Sequence, residues 1–257
     1  MYVTAVVLAA GKGLRLSRFN SFTVRSGIPT HISKMIGSGR SKISKPLIKI
    51  DSKPLIIYSL NTLSKHPYIK DIIVVANRRN LQDIRNKIKR YRIDKIRDVV
   101  LGGQVRQASV VNGLKAIDNR TDLVLIHDGV RPFIDRDMVS SVIKTAKSSG
   151  AAIVGVPVKA TVKEVVSCQL SVVRQFVVKK TLDRSKLWEI QTPQVFRKDL
   201  ILKAYDKFGD IDVTDDAMLV EKLGAKVSVV LGTYNNIKIT TPEDLVLAEA
   251  ILRSYKL

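Results

Sequence analysis

Six segments of the chain carry residue types whose spacing suits chemistry on phosphates. The first is Leu8-Ala9-Ala10-Gly11-Lys12-Gly13-Leu14-Arg15, directly after an apolar run. Small residues let the backbone approach a phosphate chain closely, and successive N–H groups form an anion nest. Lys12 and Arg15 add positive charge. Two other loop types fail on spacing. A dinucleotide fingerprint needs a third glycine where Leu16 stands, and a P-loop needs Gly-Lys-Ser/Thr after a four-residue spacer. A tight strand-to-loop turn is the plain alternative. The second segment is Gly102-Gly103-Gln104-Val105-Arg106-Gln107-Ala108-Ser109, between a strand and a helix, where open α/β sheets bind ligands. Arg106 and Ser109 stand one helical turn apart near an N-terminus that attracts anions. An ordinary capped loop is the competing reading. The third is His127-Asp128-Gly129-Val130-Arg131-Pro132-Phe133. Asp128 offers hard oxygen ligands for a divalent cation. Arg131 suits a phosphate, or Asp128 itself in a structural pair. His127 reads as a packed, hydrogen-bonded residue, because no Ser or Cys nucleophile pattern accompanies it.

The other three segments speak less clearly alone. Thr181-Leu182-Asp183-Arg184 through Trp188 to Gln191-Thr192-Pro193-Gln194 reads as a capped turn and loop. In Val213-Thr214-Asp215-Asp216-Ala217, Thr214 suits an N-cap with acids in the first helical turn. In Asn235-Asn236-Ile237-Lys238-Ile239-Thr240, Lys238 is either a charge protecting a strand at a sheet end or a phosphate contact. Cys168 has nothing nearby in sequence to activate it beyond scattered lysines.

The elements that must position these residues alternate. Strands are expected at Val3–Leu8, Ile72–Ala76, Val99–Leu101, Leu123–His127, Ala151–Val156, Lys226–Leu231 and Ile237–Thr240. Helices are expected at Pro54–Ser64, about 80–92, Arg106–Ala116, Arg136–Ser148, Lys198–Lys207 and Asp215–Leu223. A last helix starts with Thr241 as N-cap and Pro242 in its first turn. This order predicts an α/β fold with a mostly parallel twisted sheet and helices on both faces. Val158–Val166 and Leu170–Lys180 alternate loosely and read as a hairpin or projecting arm. Ser17–Ser44 is rich in Ser, Gly and bases and lacks periodicity. It reads as a functional loop or an insertion.

Composition narrows the classes. The chain has 257 residues, 45% hydrophobic, with 44 Lys+Arg against 23 Asp+Glu, a net charge of +21. That is enough apolar content for a full core, which excludes wholesale disorder. One cysteine excludes an intrachain disulfide and a Cys-rich metal site, and a reducing, cytoplasmic setting is expected. No apolar run is long enough to span a bilayer, and Met1–Ala10 reads as a buried strand rather than a signal peptide. The charge suits either nucleic acid or polyanionic small substrates. Aromatics are only 5% and are not interleaved with the bases, which disfavours a single-strand stacking surface. The bases between Arg78 and Arg97 decorate a helix whose Leu81, Ile84, Ile88 and Tyr91 face inward.

Taken together, the segments resemble the 2-C-methyl-D-erythritol 4-phosphate cytidylyltransferase family. The matching pieces, in order, are Leu8–Gly13, Lys45-Pro46, Gly102-Gly103 with Arg106 and Ser109, and His127-Asp128 with Arg131-Pro132-Phe133. Then follow Asp183-Arg184, Leu187-Trp188, Gln191–Gln194, Thr214–Ala217, Asn236–Thr240 and Pro242–Leu245. The likeness covers the chain except Ser17–Ser44. It implies a Rossmann-like nucleotidyltransferase domain over 1–257, with a basic insertion at about 17–44 and a dimerising β-arm at about 157–181. It implies a homodimer, Mg²⁺ or another divalent cation, and the substrates CTP and a polyol phosphate. The product would be a CDP-polyol for isoprenoid synthesis. A relative acting on another polyol phosphate, such as ribitol 5-phosphate, is the nearest rival.

The resemblance also assigns roles. Arg15, Lys45 and Lys238 would be catalytic. Ala9, Ala10, Gly11, Lys12, Gly13, Gly103, Arg106, Ser109, Asp128 and Gly129 would hold the nucleotide, with Asp128 also on the metal. Arg131, Thr161, Arg184, Thr192 and Thr214 would meet the polyol phosphate, Arg184 in the neighbouring subunit's site. The chain departs from the family pattern in three places. A basic segment separates Arg15 from Lys45, Gly129-Val130 follows His-Asp, and Lys159-Ala160-Thr161 lacks an Asp before the Thr.

Overall fold

Strand β1 (Val3–Ala9) is apolar on both faces, as a central strand of an open α/β sheet must be. Its side chains alternate between two cores. Val3, Ala5, Val7 and Ala9 face one, and Val6 faces the other. The computed structural model describes residues 1–11, 43–168 and 175–255. Lys12, Gly13, Arg15 and the segment 17–42 lie outside the described residues.

After β1 the described chain resumes with a single-turn 3₁₀ helix at Lys45–Leu47 and a small hairpin of β2 (Lys49–Ile50) and β3 (Lys53–Pro54). Next come α1 (Leu55–Ser64), β4 (Ile69–Ala76), α2 (Leu81–Arg90), β5 (Ile96–Leu101), α3 (Arg106–Lys115), β6 (Leu123–Asp128), α4 (Arg136–Ser149) and β7 (Ala151–Pro157). The hairpin strands β8 (Lys163–Cys168) and β9 (Gln175–Thr181) form their own two-stranded antiparallel sheet. Then follow β10 (Trp188–Arg197), α5 (Lys198–Phe208), α6 (Ala217–Lys222), β11 (Ser228–Leu231) and α7 (Pro242–Ser254).

The main sheet has seven strands in the order β11-β7-β10-β6-β1-β4-β5. β4, β1 and β6 run parallel, as do β4 with β5 and β11 with β7. β10 alone runs antiparallel, between β6 and β7. From β1 the chain steps outward to β4 and β5, then crosses back to β6 on the other side of β1. This reversal opens a crevice at the carboxyl ends of β1 and β6, the usual ligand position in such sheets.

One face is covered by α1, α2 and α4 through Ile56, Leu60, Ile84, Val139, Val142 and Ile143. The other carries α3, α5 and α6 through Val110, Leu114, Ile201, Ala204, Leu219 and Val220. A third, smaller cluster joins Ile48, Ile50 and Leu55 to Phe133, Ile239 and the inner face of α7. α7 opens as expected, with the Asp244 carboxylate accepting from the Thr241 N–H at 2.8 Å.

The sequence reading needs three corrections. The segment 188–194, read as a turn and loop, is the first part of β10. Pro193 has no N–H for the ladder, and the register shifts between Gln191 and Gln194 to accommodate it. Ile237–Thr240 is not a strand. It is an irregular stretch tied to the fold where the Ile239 N–H donates to the Val130 carbonyl at 2.9 Å. The helix expected from Asp215 starts at Ala217. Thr214 is exposed and caps nothing; the Asp215 carboxylate accepts from the Met218 N–H instead, at 3.1 Å.

Candidate active site

The backbone leaving β1 is pinned from the side. Asn80 is fully buried and donates through Nδ2 to the Ala9 carbonyl at 2.9 Å and to Ser44 Oγ at 2.7 Å. Asn77 Nδ2 donates to the Ala10 carbonyl at 3.2 Å. One asparagine therefore ties the Ala9–Gly11 turn to the entry of the Lys45–Leu47 turn, where Lys45 sits. Across the crevice, Gly102 and Gly103 leave β5. A Cβ on Gly102 would come within 2.6 Å of Ala10 Cβ and 2.7 Å of Ser109 Oγ, so glycine is what lets the two loops meet. Ser109 Oγ accepts from the Gly103 N–H and donates to the Val105 carbonyl, both at 3.1 Å. It fastens the loop to the first turn of α3.

Between these loops lies a cavity of about 340 Å³. Ala9, Ala10, Gly11, Lys45, Gly103, Arg106, Ser109, Asp128 and Lys238 all line it. At its floor Asp128, with a side chain only 10% exposed, meets three cations. Lys238 Nζ stands 2.7 Å away, Arg106 Nε 3.8 Å and Arg131 Nε 3.9 Å. Burial pushes the Asp128 pKa up, but Lys238, Arg106 and Arg131 outweigh it and hold the carboxyl well below its usual range. Asp128 is an anion at neutral pH.

Asp128 is held from below by a chain whose proton order follows from its end. His127 Nε2 faces the Arg131 carbonyl at 3.1 Å, and a carbonyl only accepts, so Nε2 carries the proton. His127 Nδ1 then accepts from the Thr192 hydroxyl at 3.1 Å, whose oxygen accepts the Asp128 N–H at 3.0 Å. Burial of His127 lowers its pKa to about 4, so the ring is neutral and serves as a strut. Lys238 is positioned by its neighbour. Asn236, fully buried, donates to Gln191 Oε1 and to the Thr192 carbonyl at 3.0 and 2.9 Å, and its own carbonyl accepts from Arg131 Nη1 at 2.8 Å.

The model of the 2-C-methyl-D-erythritol 4-phosphate cytidylyltransferase family matches residues 34–254. The family's protein from Syntrophus aciditrophicus is 44% identical over 223 residues, covering 84% of this chain and 92% of its own. The one from Alkaliphilus metalliredigens is 38% identical over 257 residues, covering 99% and 94%. The chain belongs to this family. The crystal structure of 4-diphosphocytidyl-2C-methyl-D-erythritol synthase from Anaerococcus prevotii superposes with a TM-score of 0.76 at 32% identity, over 98% of this chain and 96% of that one. The chain is thus a nucleotidyltransferase, a cytidylyltransferase by family.

Set against the residues expected of a 2-C-methyl-D-erythritol 4-phosphate cytidylyltransferase, the structure sorts them by place. Nine line the cavity, as given above. Three lie beneath or behind it. Gly129 packs its N–H on the Leu8 carbonyl at 2.9 Å. Arg131 is taken up by Asn236 and Asp128, and Thr192 turns its hydroxyl to the Asp128 backbone. Three more are exposed and do not line the cavity, namely Thr161 and Arg184 beside the hairpin and Thr214 before α6. Arg184 Nη1 donates to the Lys159 carbonyl at 2.9 Å. Sequence reasoning missed Asn80, a buried amide that no motif marks, and gave no role to Asn236, a buried amide inside a quoted segment. It also missed Gln104, Val105 and Val130, which line the cavity from inside motifs that were quoted for other residues.

Proposed function

We propose that this chain transfers the cytidylyl group of CTP to 2-C-methyl-D-erythritol 4-phosphate, releasing pyrophosphate and giving the CDP-polyol. One observation carries the reading. Lys45, Arg106 and Lys238 converge with Asp128 on a single cavity over the small-residue turn after β1. The nucleophile is a phosphate oxygen that is already anionic. The barrier therefore lies in bringing two polyanions together in line, and the site needs cations more than an acid or a base. The polyol phosphate oxygen attacks the CTP α-phosphorus, a new P–O bond forms, and the bond to the β-phosphate oxygen breaks. The electron pair leaves with pyrophosphate.

Lys45 and Lys238 bind phosphate oxygens and stabilise the charge gathering on them in the transition state. Arg15 joins them in this reading, on the family resemblance. The backbone of Ala9–Gly11 and Gly103 admits the nucleotide closely because nothing there projects beyond a methyl group. Arg184 and Thr161 belong with the polyol phosphate of a second copy, reached through the hairpin. That hairpin exposes Val165, Val166, Phe176, Val177 and Val178, an apolar surface that supports a homodimer.

The donor set fits Mg²⁺. Among the described residues no group of three His, Cys, Asp or Glu side chains is placed to hold a metal, so these residues offer no cage. Asp128 gives hard carboxylate oxygens at the cavity floor. That is the pattern of an ion held by one or two carboxylates and completed by substrate phosphates and water. When bound, the ion neutralises triphosphate charge. Among the described residues no helix is long and apolar enough to cross a membrane. The reading carries with it a cytoplasmic setting, where the lone Cys168 stays reduced.

The test is pyrophosphate release from CTP with methylerythritol phosphate and with ribitol 5-phosphate side by side, with and without Mg²⁺. Turnover with methylerythritol phosphate and Mg²⁺ is the expected outcome. No turnover with either polyol would remove the assignment.

A further inference from the structure

Asp216 is fully buried, yet it stands just before α6 and outside the cavity. Its oxygens are taken by two neighbours from other helices. Arg106, the first residue of α3, grips it with both terminal nitrogens, Nη1 to Oδ1 at 2.8 Å and Nη2 to Oδ2 at 2.6 Å. Tyr205 on α5 donates its hydroxyl to Oδ1 at 2.5 Å. The fork of Arg106 is thereby spent on Asp216. Only its Nε edge faces the cavity floor, 3.8 Å from Asp128, beyond hydrogen-bonding distance.

That division matters for Asp128. It already has Lys238 at 2.7 Å and Arg131 at 3.9 Å. If Arg106 were released, Asp128, already 3.8 Å from its Nε, would be open to its fork. A bidentate arginine on Asp128 would occupy the oxygens that the proposed reading gives to a divalent cation. Asp216 prevents this by offering the guanidinium a better-buried partner with matched geometry. It also sets the local charge. Arg106, Arg131 and Lys238 face Asp128 and Asp216, three cations against two anions. Removing one anion makes the floor still less hospitable to a divalent ion.

We propose that Asp216, held by Tyr205, is a positioning residue that keeps Arg106 off Asp128 and so leaves the Asp128 carboxylate able to take a divalent cation together with CTP. The inference rests on the reading of the cavity as the CTP site.

The experiment measures Mn²⁺ binding by electron paramagnetic resonance of the free ion, with full-length protein and CTP present. CTP binding is followed separately by calorimetry. Asp216→Asn keeps the side-chain volume and removes the charge. Its Mn²⁺ dissociation constant should rise about tenfold or more, the usual cost of losing a residue that orients a metal ligand. Asp216→Glu should recover part of the loss. Tyr205→Phe keeps the carboxylate and removes one donor, and should raise the constant about threefold, the worth of one hydrogen bond. It decides the matter if Asp216→Asn does not fold. A merely structural Asp216 would lower the melting temperature and leave Mn²⁺ affinity alone. Folded Asp216→Asn, or Tyr205→Phe in its place, with wild-type Mn²⁺ affinity overturns this proposal and leaves the assigned reaction standing. Wild-type protein that binds neither CTP nor Mn²⁺–CTP overturns both.

Discussion

Replacing Lys238 by Met removes the ammonium and keeps most of the aliphatic stem, so the effect on charge separates from the effect on packing. In the free protein Lys238 is the nearest cation to Asp128, at 2.7 Å. Asp128 does not lose all its partners in the variant, because Arg106 and Arg131 remain at 3.8 and 3.9 Å. A buried charge left wholly unpaired costs about 3–5 kcal/mol, so with two cations still in place the expected loss of stability is about 2 kcal/mol or less. Activity should fall much further. If Lys238 stabilises charge that builds on a phosphate oxygen in the transition state, its loss costs about 2.7–4 kcal/mol, or about 10²–10³ in kcat. The split between constants locates the contact in time. An interaction made mainly in the transition state lowers kcat and kcat/KM together, whereas one made equally with bound CTP raises KM alone. The assay is steady-state pyrophosphate release under saturating polyol phosphate, beside a urea titration of the same preparation. A variant with kcat and kcat/KM close to wild type would show that Lys238 holds Asp128 and does nothing to CTP, and the electrostatic argument for the cavity would fail at its centre.

Three further outcomes are expected. His127 titrates at about 4 in the folded protein against an ordinary 6.5, so the unfolded chain takes up a proton that the folded one refuses. Stability should therefore fall as pH drops from 6.5 toward 4, by up to about 3 kcal/mol from this ring, with His66 shifted in the same direction. Denaturant titrations across that window check it, and a wild-type slope retained in His127→Gln would refute it. Gly102→Ala would push a methyl within 2.6 Å of Ala10 Cβ, so it should cost about 1–3 kcal/mol and weaken CTP binding in calorimetry. Phe176→Ser with Val178→Ser strips exposed apolar surface from the hairpin, and on the proposed homodimer sedimentation velocity should show dimers for the parent chain and monomers for the variant.

How much of this was legible in the sequence divides along physical lines. The parallel strands and their helices were readable because each carries its own period. Leu123–Asp128 is buried throughout and apolar up to its last two residues, and the basic helix shows Ile84 and Ile88 inward with charges outward. β10 was not readable, since Pro193 interrupts its alternation and its antiparallel place depends on β6 and β7, both distant in sequence. The glycine turns and the Asp128 motif could be read because small residues and an acid at a strand end are local signals. The residues that set their geometry are not local. Asn80 reaches Ala9 across 71 positions, Asn236 reaches Thr192 across 44, and Arg106 meets Asp216 across 110. In each case a buried polar group finds its partner only once the sheet has brought two loops together, and nothing in either loop alone announces it. The same distances explain why Asp216 reads in the sequence as an acid of a helix's first turn. Its neighbour Asp215 does the capping, and Asp216, buried between α3 and α5, holds Arg106 and Tyr205 instead.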